Sequence, residues 1–178
     1  TAETASTATD VEEGQRLFQA NCATCHGPNA EGTSEAPSLV GGGAAAVDFQ
    51  VSTGRMPMQM SGPQAAPKPP QMDDEQTAQL AAYVASLGAG PAIPTEQQVD
   101  AELGDSANGA LLFRTPWATC HNAVGAGGAL SEGKWAPPLD EVSEQNIYQA
   151  MLTGPQSMPV FNDANITPDE KRDVIAYL

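Results

Sequence analysis

Cys22-Ala23-Thr24-Cys25-His26 constrains this chain more than any other stretch. Two thiols separated by two residues, with an imidazole directly after the second, form the pattern that fixes haem covalently: the sulfurs add to the vinyl groups and the histidine ligates the iron. The spacing suits a short helical turn along one edge of a porphyrin. The same three side chains also suit a structural zinc, which needs a fourth ligand. The chain has one further cysteine, Cys120, and one further histidine, His121, so a zinc site would recruit from far along the sequence.

A length of 178 residues allows one domain or two small ones. Aromatic residues make up only 5%, beside 17 glycines and 15 prolines, which is poor material for two large apolar cores. A small domain with a weak core needs a staple, and haem, a large apolar disc, can be one. Three cysteines form no even disulfide set, and pairing Cys22 with Cys25 would consume the attachment thiols. The net charge of −15 repels phosphates and argues against nucleic acid as a partner. An acidic surface steers a basic partner face or simply keeps the chain soluble. No apolar run approaches the roughly 20 residues needed to cross a bilayer. Haem attachment of this type resembles that of exported bacterial cytochromes c, which implies a folded chain outside the cytoplasmic membrane.

Residues 1–9, rich in Thr and Ala, read as a flexible lead, and Asp10-Val11-Glu12-Glu13 predicts a helix start with Asp10 as N-cap. That helix carries Leu17 and Phe18, expected to pack on the last helix of the domain. A short helix is predicted over 44–51, with Val47 and Val51 on one face. Met56-Pro57 follows and offers the thioether sulfur that a six-coordinate haem requires; Met58 and Met60 compete with it, but only Met56 precedes a proline in a way that recurs later. Ser61 to Pro70 is too rich in proline for regular structure and reads as an extended strap over the haem edge. Asp73 then opens a helix with Leu80, Tyr83, Val84 and Leu87 at helical spacing, ended by Gly88. The first domain is thus expected over 10–90 and a linker over 91–105.

After the linker the chain repeats itself. Gly109, Leu112 and Phe113 correspond to Gly14, Leu17 and Phe18, and Ala118-Thr119-Cys120-His121 matches Ala23-Thr24-Cys25-His26. Pro137 aligns with Pro37, Thr153-Gly154 with Thr53-Gly54, Met158-Pro159 with Met56-Pro57, and Ala176-Tyr177-Leu178 with Ala82-Tyr83-Val84. Offsets that change only in loops are what duplicated domains produce. A second domain is therefore expected over 106–178. Its last helix starts at Thr167-Pro168-Asp169-Glu170 and, beside the first copy, reads as cut short at Leu178.

One position departs from the repeat. Trp117 stands where the first cysteine of the second motif belongs, so only Cys120 can form a thioether there. His121 and Met158 still supply two axial ligands, and a second haem held by one thioether is expected. A decayed copy without haem is the other reading, and a sequence error at Trp117 a third. Trp135 is expected as wall material beside the cofactor.

Three longer strings carry a resemblance: residues 47–57 (Val47 to Pro57), 127–134 (Gly127 to Lys134) and 147–156 (Ile147 to Gln156). With the tandem motifs they resemble the dihaem cytochrome cc subunit of the actinobacterial cytochrome bcc complex, over nearly everything after the lead. The resemblance implies an all-α chain of two class I cytochrome c domains and two haem c groups. It also implies membrane segments flanking the haem domains and a location on the outer face of the cytoplasmic membrane. The partners it implies are the Rieske iron–sulfur and cytochrome b subunits and an aa3-type oxidase, between which such a subunit carries electrons without catalysing a reaction itself. Family members have two complete attachment motifs, so Trp117 is a departure from their pattern. An iron-bound histidine donates its second ring N–H to a carbonyl; by resemblance to class I cytochromes c that carbonyl is Pro37, and Pro137 in the second copy.

The residues support electron transfer on their own. Both histidines are used as proximal ligands, and methionine as sixth ligand raises the potential and closes the iron to substrate. A freely diffusing dihaem shuttle similar to cytochrome c4 and a dihaem peroxidase are the alternatives; the peroxidase needs one open iron position.

Overall fold

The computed structural model describes residues 7–60 and 62–178. The chain divides into two compact units, Thr1–Ile93 and Pro94–Leu178. Both are mostly helical, and each is built around one crossing of two of its longer helices.

In the first unit, α1 (Ala8–Asn21) is capped by Thr7, whose hydroxyl accepts from the Asp10 amide while the Asp10 carboxylate accepts from the Thr7 amide. The expected start at Asp10 is therefore corrected. Thr7–Asp10 closes the box one turn earlier, Thr7 to Thr9 belong to the helix start and not to a lead, and the rest of that lead lies outside the described residues. α2 (Ala23–His26) carries the motif, α3 (Gly43–Ser52) follows a loop, and α4 (Asp74–Ser86) is capped by Asp73 with Gln76 reaching back. Residues 62–70 between α3 and α4 form no regular structure.

α1 crosses α4 at Gly14, where any Cβ would overlap the Gln79 carbonyl, so only glycine allows the approach. Phe18 is buried there against the Tyr83 ring, 5.3 Å between centroids, with Leu80 and Val84 completing the contact.

The second unit repeats this plan. The expected linker over 91–105 is corrected: it contains α5 (Glu96–Val99) and a 3-10 turn, Ala101–Leu103, both of which pack on the last helix of the second unit. Thr95 caps α5 with Gln98 closing the box, a signal that the expectation of a plain linker passed over. α6 (Ser106–Phe113) is capped by Asp105, α7 (Ala118–His121) carries the altered motif, and α8 (Glu144–Thr153) is capped by Ser143. α9 (Pro168–Tyr177) starts at N-cap Thr167 with Pro168 at its first position and Glu170 closing the box, as its sequence predicts. α6 crosses α9 at Gly109, where a Cβ would overlap the Asp173 carbonyl, and Phe113 lies 5.5 Å from the Tyr177 ring.

The all-α class holds with one addition. β1 (Gly128–Ala129) pairs antiparallel with β2 (Trp135–Ala136) around a turn at Ser131–Gly133. This ribbon fills the place where the repeat offset changes: Gly127 corresponds to Gly32, but Pro137 lies five residues further along than that register requires. The inserted residues fold on themselves and leave the flanking geometry intact.

Candidate haem sites

His26 ends α2, is buried, and has Nδ1 2.8 Å from the Pro37 carbonyl oxygen. With that nitrogen engaged, Nε2 is the one open to a metal. The loop between the two residues is held by its own backbone. The Gly32 amide donates to the His26 carbonyl at 2.7 Å and the Leu39 amide to the Ala30 carbonyl at 2.9 Å. Gly27 and Gly32 take left-handed φ values of 82° and 86°, and a Cβ on Gly32 would meet the Pro37–Ser38 peptide, so the chain folds back tightly onto the prolines.

The second site has the same frame. His121 is buried with Nδ1 2.9 Å from the Pro137 carbonyl oxygen, the Gly127 amide donates to the His121 carbonyl at 2.9 Å, and the Leu139 amide to the Gly125 carbonyl at 2.8 Å. Burial lowers the His121 pKa below its ordinary value, which favours the neutral imidazole a metal binds, while the Pro137 contact opposes this more weakly. Asn122 replaces Gly27 at a positive φ, 66° with ψ 168°, a backbone that strains any residue but glycine, and its side chain donates to the Gly127 carbonyl at 3.0 Å.

The thiols differ. Cys22 is half-buried against the Phe18 cluster, and burial, with the neighbouring Cys25 next, pushes its pKa up to about 11. Among the described residues no three His, Cys, Asp or Glu side chains cluster to hold a metal ion. Cys25 is exposed and Cys120 half-buried, and none of the three is in a disulfide.

Trp117, in the register of Cys22, is 4% exposed. Its indole lies between Phe161, 4.6 Å between ring centroids, and Phe113, at 6.3 Å and nearly parallel. Its Nε1–H is buried without a partner. Trp135 sits on β2 at 37% exposure, outside the core cluster that holds Trp117.

Met56 packs half-buried against the first core and Met158 against the second. Met60 is 79% exposed, which removes it from any pocket wall; Met58 is half-buried. The Met56 amide donates to the Gln50 carbonyl at 2.9 Å, and the Met158 amide to the Pro155 carbonyl at 3.0 Å. A buried imidazole with one nitrogen engaged, thiols one and four residues upstream and a thioether on the first core together fit haem c in the first unit. The second unit fits it with one thiol fewer.

Sequence reasoning passed over two lysines that tie loops: Lys68 the turn around Met56, and Lys171 the loop that leads into α9. Lys68 reaches from the 62–70 strap to the carbonyls around Met56, and Lys171, wholly buried, binds Asp163 at 2.5 Å and the Ile166 carbonyl at 2.7 Å. Nothing in the local sequence marks either, because their partners are carbonyls and a distant carboxylate.

Comparison with known proteins follows this geometry. The family described as "Cytochrome c" matches residues 11–88, and the one described as "Cytochrome C oxidase, cbb3-type, subunit III" matches residues 104–178. Proteins named "Cytochrome bc1 complex cytochrome c subunit" are similar over 94% of this chain. The one from Corynebacterium diphtheriae is 45% identical, that from Corynebacterium efficiens 46% and that from Mycobacterium bovis 45%. The chain spans 65%, 62% and 62% of their respective lengths.

Proposed function

The chain is a tandem of two cytochrome c domains of the family to which the actinobacterial cytochrome bc1 complex cytochrome c subunits belong, and from that premise we propose that it carries electrons through two haems between membrane complexes. In this reading electrons enter from the Rieske iron–sulfur protein of a menaquinol-oxidising bcc complex. They leave to the copper centre of an aa3-type oxidase, on the outer face of the cytoplasmic membrane. No described helix is long and apolar enough to cross a membrane; membrane segments flanking the haem domains would supply the attachment.

The observation that carries this reading is the doubled frame: a buried histidine bonded through Nδ1 to a prolyl carbonyl, at 2.8 Å for His26 and 2.9 Å for His121. We assign Cys22 and Cys25 as the thioether residues of the first site and Cys120 as the single one of the second. His26 and His121 are the proximal ligands, Met56 and Met158 the distal ones. When bound, haem c supplies a one-electron iron couple. Pro37 and Pro137 orient the imidazoles by accepting hydrogen bonds from their Nδ1–H groups, which raises ligand basicity. With haem bound, Met56 and Met158 would supply the thioether ligands that keep substrates out, and Trp117, in the place that corresponds to Cys22, would exclude water from the second site.

The test is a pyridine-haemochrome spectrum and intact mass of the denatured chain. Two retained haems, one with a single-thioether spectrum, are expected. One haem at most, or rapid peroxide turnover by the native protein, overturns the reading.

A further inference from the structure

Lys68 lies half-buried in the proline-rich strap. Its Nζ donates to the carbonyl oxygens of Gly54, of Pro57 at 2.8 Å and of Arg55 at 3.4 Å. An ammonium has three donors, and here all three go to carbonyls of residues 54–57, the turn that encloses Met56. The backbone of the strap is bound to the same turn: the Lys68 amide donates to the Thr53 carbonyl at 3.3 Å. Gly54, at a left-handed φ of 67°, has no room for a Cβ against the Lys68 carbonyl. Hydrogen bonds from a charged donor are among the stronger ones a loop can receive.

The second unit holds its methionine turn without a lysine. There the Met158 amide donates to the Pro155 carbonyl and the Phe161 amide to the Met151 carbonyl at 2.8 Å, while Lys171 acts further on, at Asp163 and Ile166. The ammonium clamp on the methionine turn is a feature of the first unit alone among the described residues.

We propose that Lys68 is the positioning residue of the first haem site: its ammonium holds residues 54–57 in the shape that presents the Met56 sulfur and keeps that sulfur in place. The inference rests on the reading that Met56 is the distal ligand. Without the ammonium, the three carbonyls turn to water at the surface, the turn opens and the thioether leaves more often, while α1, α4 and the thioether bonds stay as they are.

The test uses the full chain with its haems and three variants: Lys68→Met, Lys68→Gln and Met56→Leu. Two readouts follow the methionine directly, the far-red absorption band of methionine-bound ferric haem and the rate of cyanide binding, which methionine departure limits. Met56→Leu is expected to remove one site's share of the band and identify that site's cyanide phase. Lys68→Met should speed the same phase by at least roughly tenfold, what the loss of one of its three charge-assisted hydrogen bonds would do alone, and leave the other phase unchanged. Lys68→Gln, with two amide donors on a shorter arm, should fall between.

A Lys68→Met rate within twofold of the parent, with the Met56→Leu band lost, overturns the role of Lys68 and leaves Met56 as ligand. A lowered melting temperature with an unmoved cyanide phase does the same, because it marks a purely structural lysine. A full band in Met56→Leu overturns the ligand assignment itself and the inference with it. If Lys68→Met fails to fold, Lys68→Gln is read by the same criteria.

Discussion

The two units share a backbone frame and differ in what fills it. Gly14 and Gly109 let α1 cross α4 and α6 cross α9 at equivalent carbonyls, and the Phe18–Tyr83 and Phe113–Tyr177 ring pairs are tilted alike beside them. The loops from His26 to Leu39 and from His121 to Leu139 repeat the same amide-to-carbonyl bonds although the second is five residues longer. What changed is the side chains that face inward. A half-buried thiol at Cys22 became a buried indole at Trp117, and Thr77, which bonds only to its own helix through the Asp73 carbonyl, became the buried Lys171. Duplicated domains keep the contacts that any change would clash with, and diversify where a different side chain can find a new partner.

Making the two motifs equal should have the largest effect. Trp117→Cys is expected to shift the haemochrome spectrum of the second haem to the two-thioether form. Unfolding of the second unit without haem should cost about 3–5 kcal/mol less, since a large aromatic leaves the Phe113–Phe161 contact. An unchanged spectrum would mean that residue 117 does not face a vinyl group, and the parallel with Cys22 would fail.

Removing the charge partner of Lys171 should come next. Asp163→Asn leaves a fully buried ammonium with the Ile166 carbonyl and the Tyr148 ring face, 5.8 Å away, but no counter-charge. The expected loss is about 2 kcal/mol in the second unit's urea transition, below the full cost of splitting a buried pair because Asp163 is open to water. The first unit has Thr77 in that register and should not move.

The helix caps should show the smallest effect and the closest agreement. Asp73→Ala and Thr167→Ala each remove the acceptor of a capping box at equivalent helix starts. Each should lower its own unit's stability by about 1 kcal/mol. A large disparity in denaturant midpoints would mean that the two last helices are not anchored alike.

Much of this architecture was legible because it depends on neighbours in sequence. The start of α9 follows from Thr167-Pro168-Asp169-Glu170, and the start of α4 from Asp73, since a cap is a contact across three residues. The same rule misplaced α1, where Thr7 and Asp10 each have an acidic side chain three residues on and local chemistry does not rank them. It also left α5 unread in a stretch rich in proline and polar residues. The β1–β2 ribbon was hidden because strands of two residues carry no periodicity.

By itself the sequence determined the tandem plan, the covalent haem motif at Cys22–His26 and the odd residue at Trp117, because these are matters of residue identity and spacing. Tertiary structure alone decided where the indole of Trp117 goes and what Lys68 and Lys171 bind. It also decided which methionines lie against a core, because each of these depends on which distant backbone or ring arrives beside the side chain when the helices close. Burial and long-range pairing are set by the packing of the whole unit, and no local pattern encodes them.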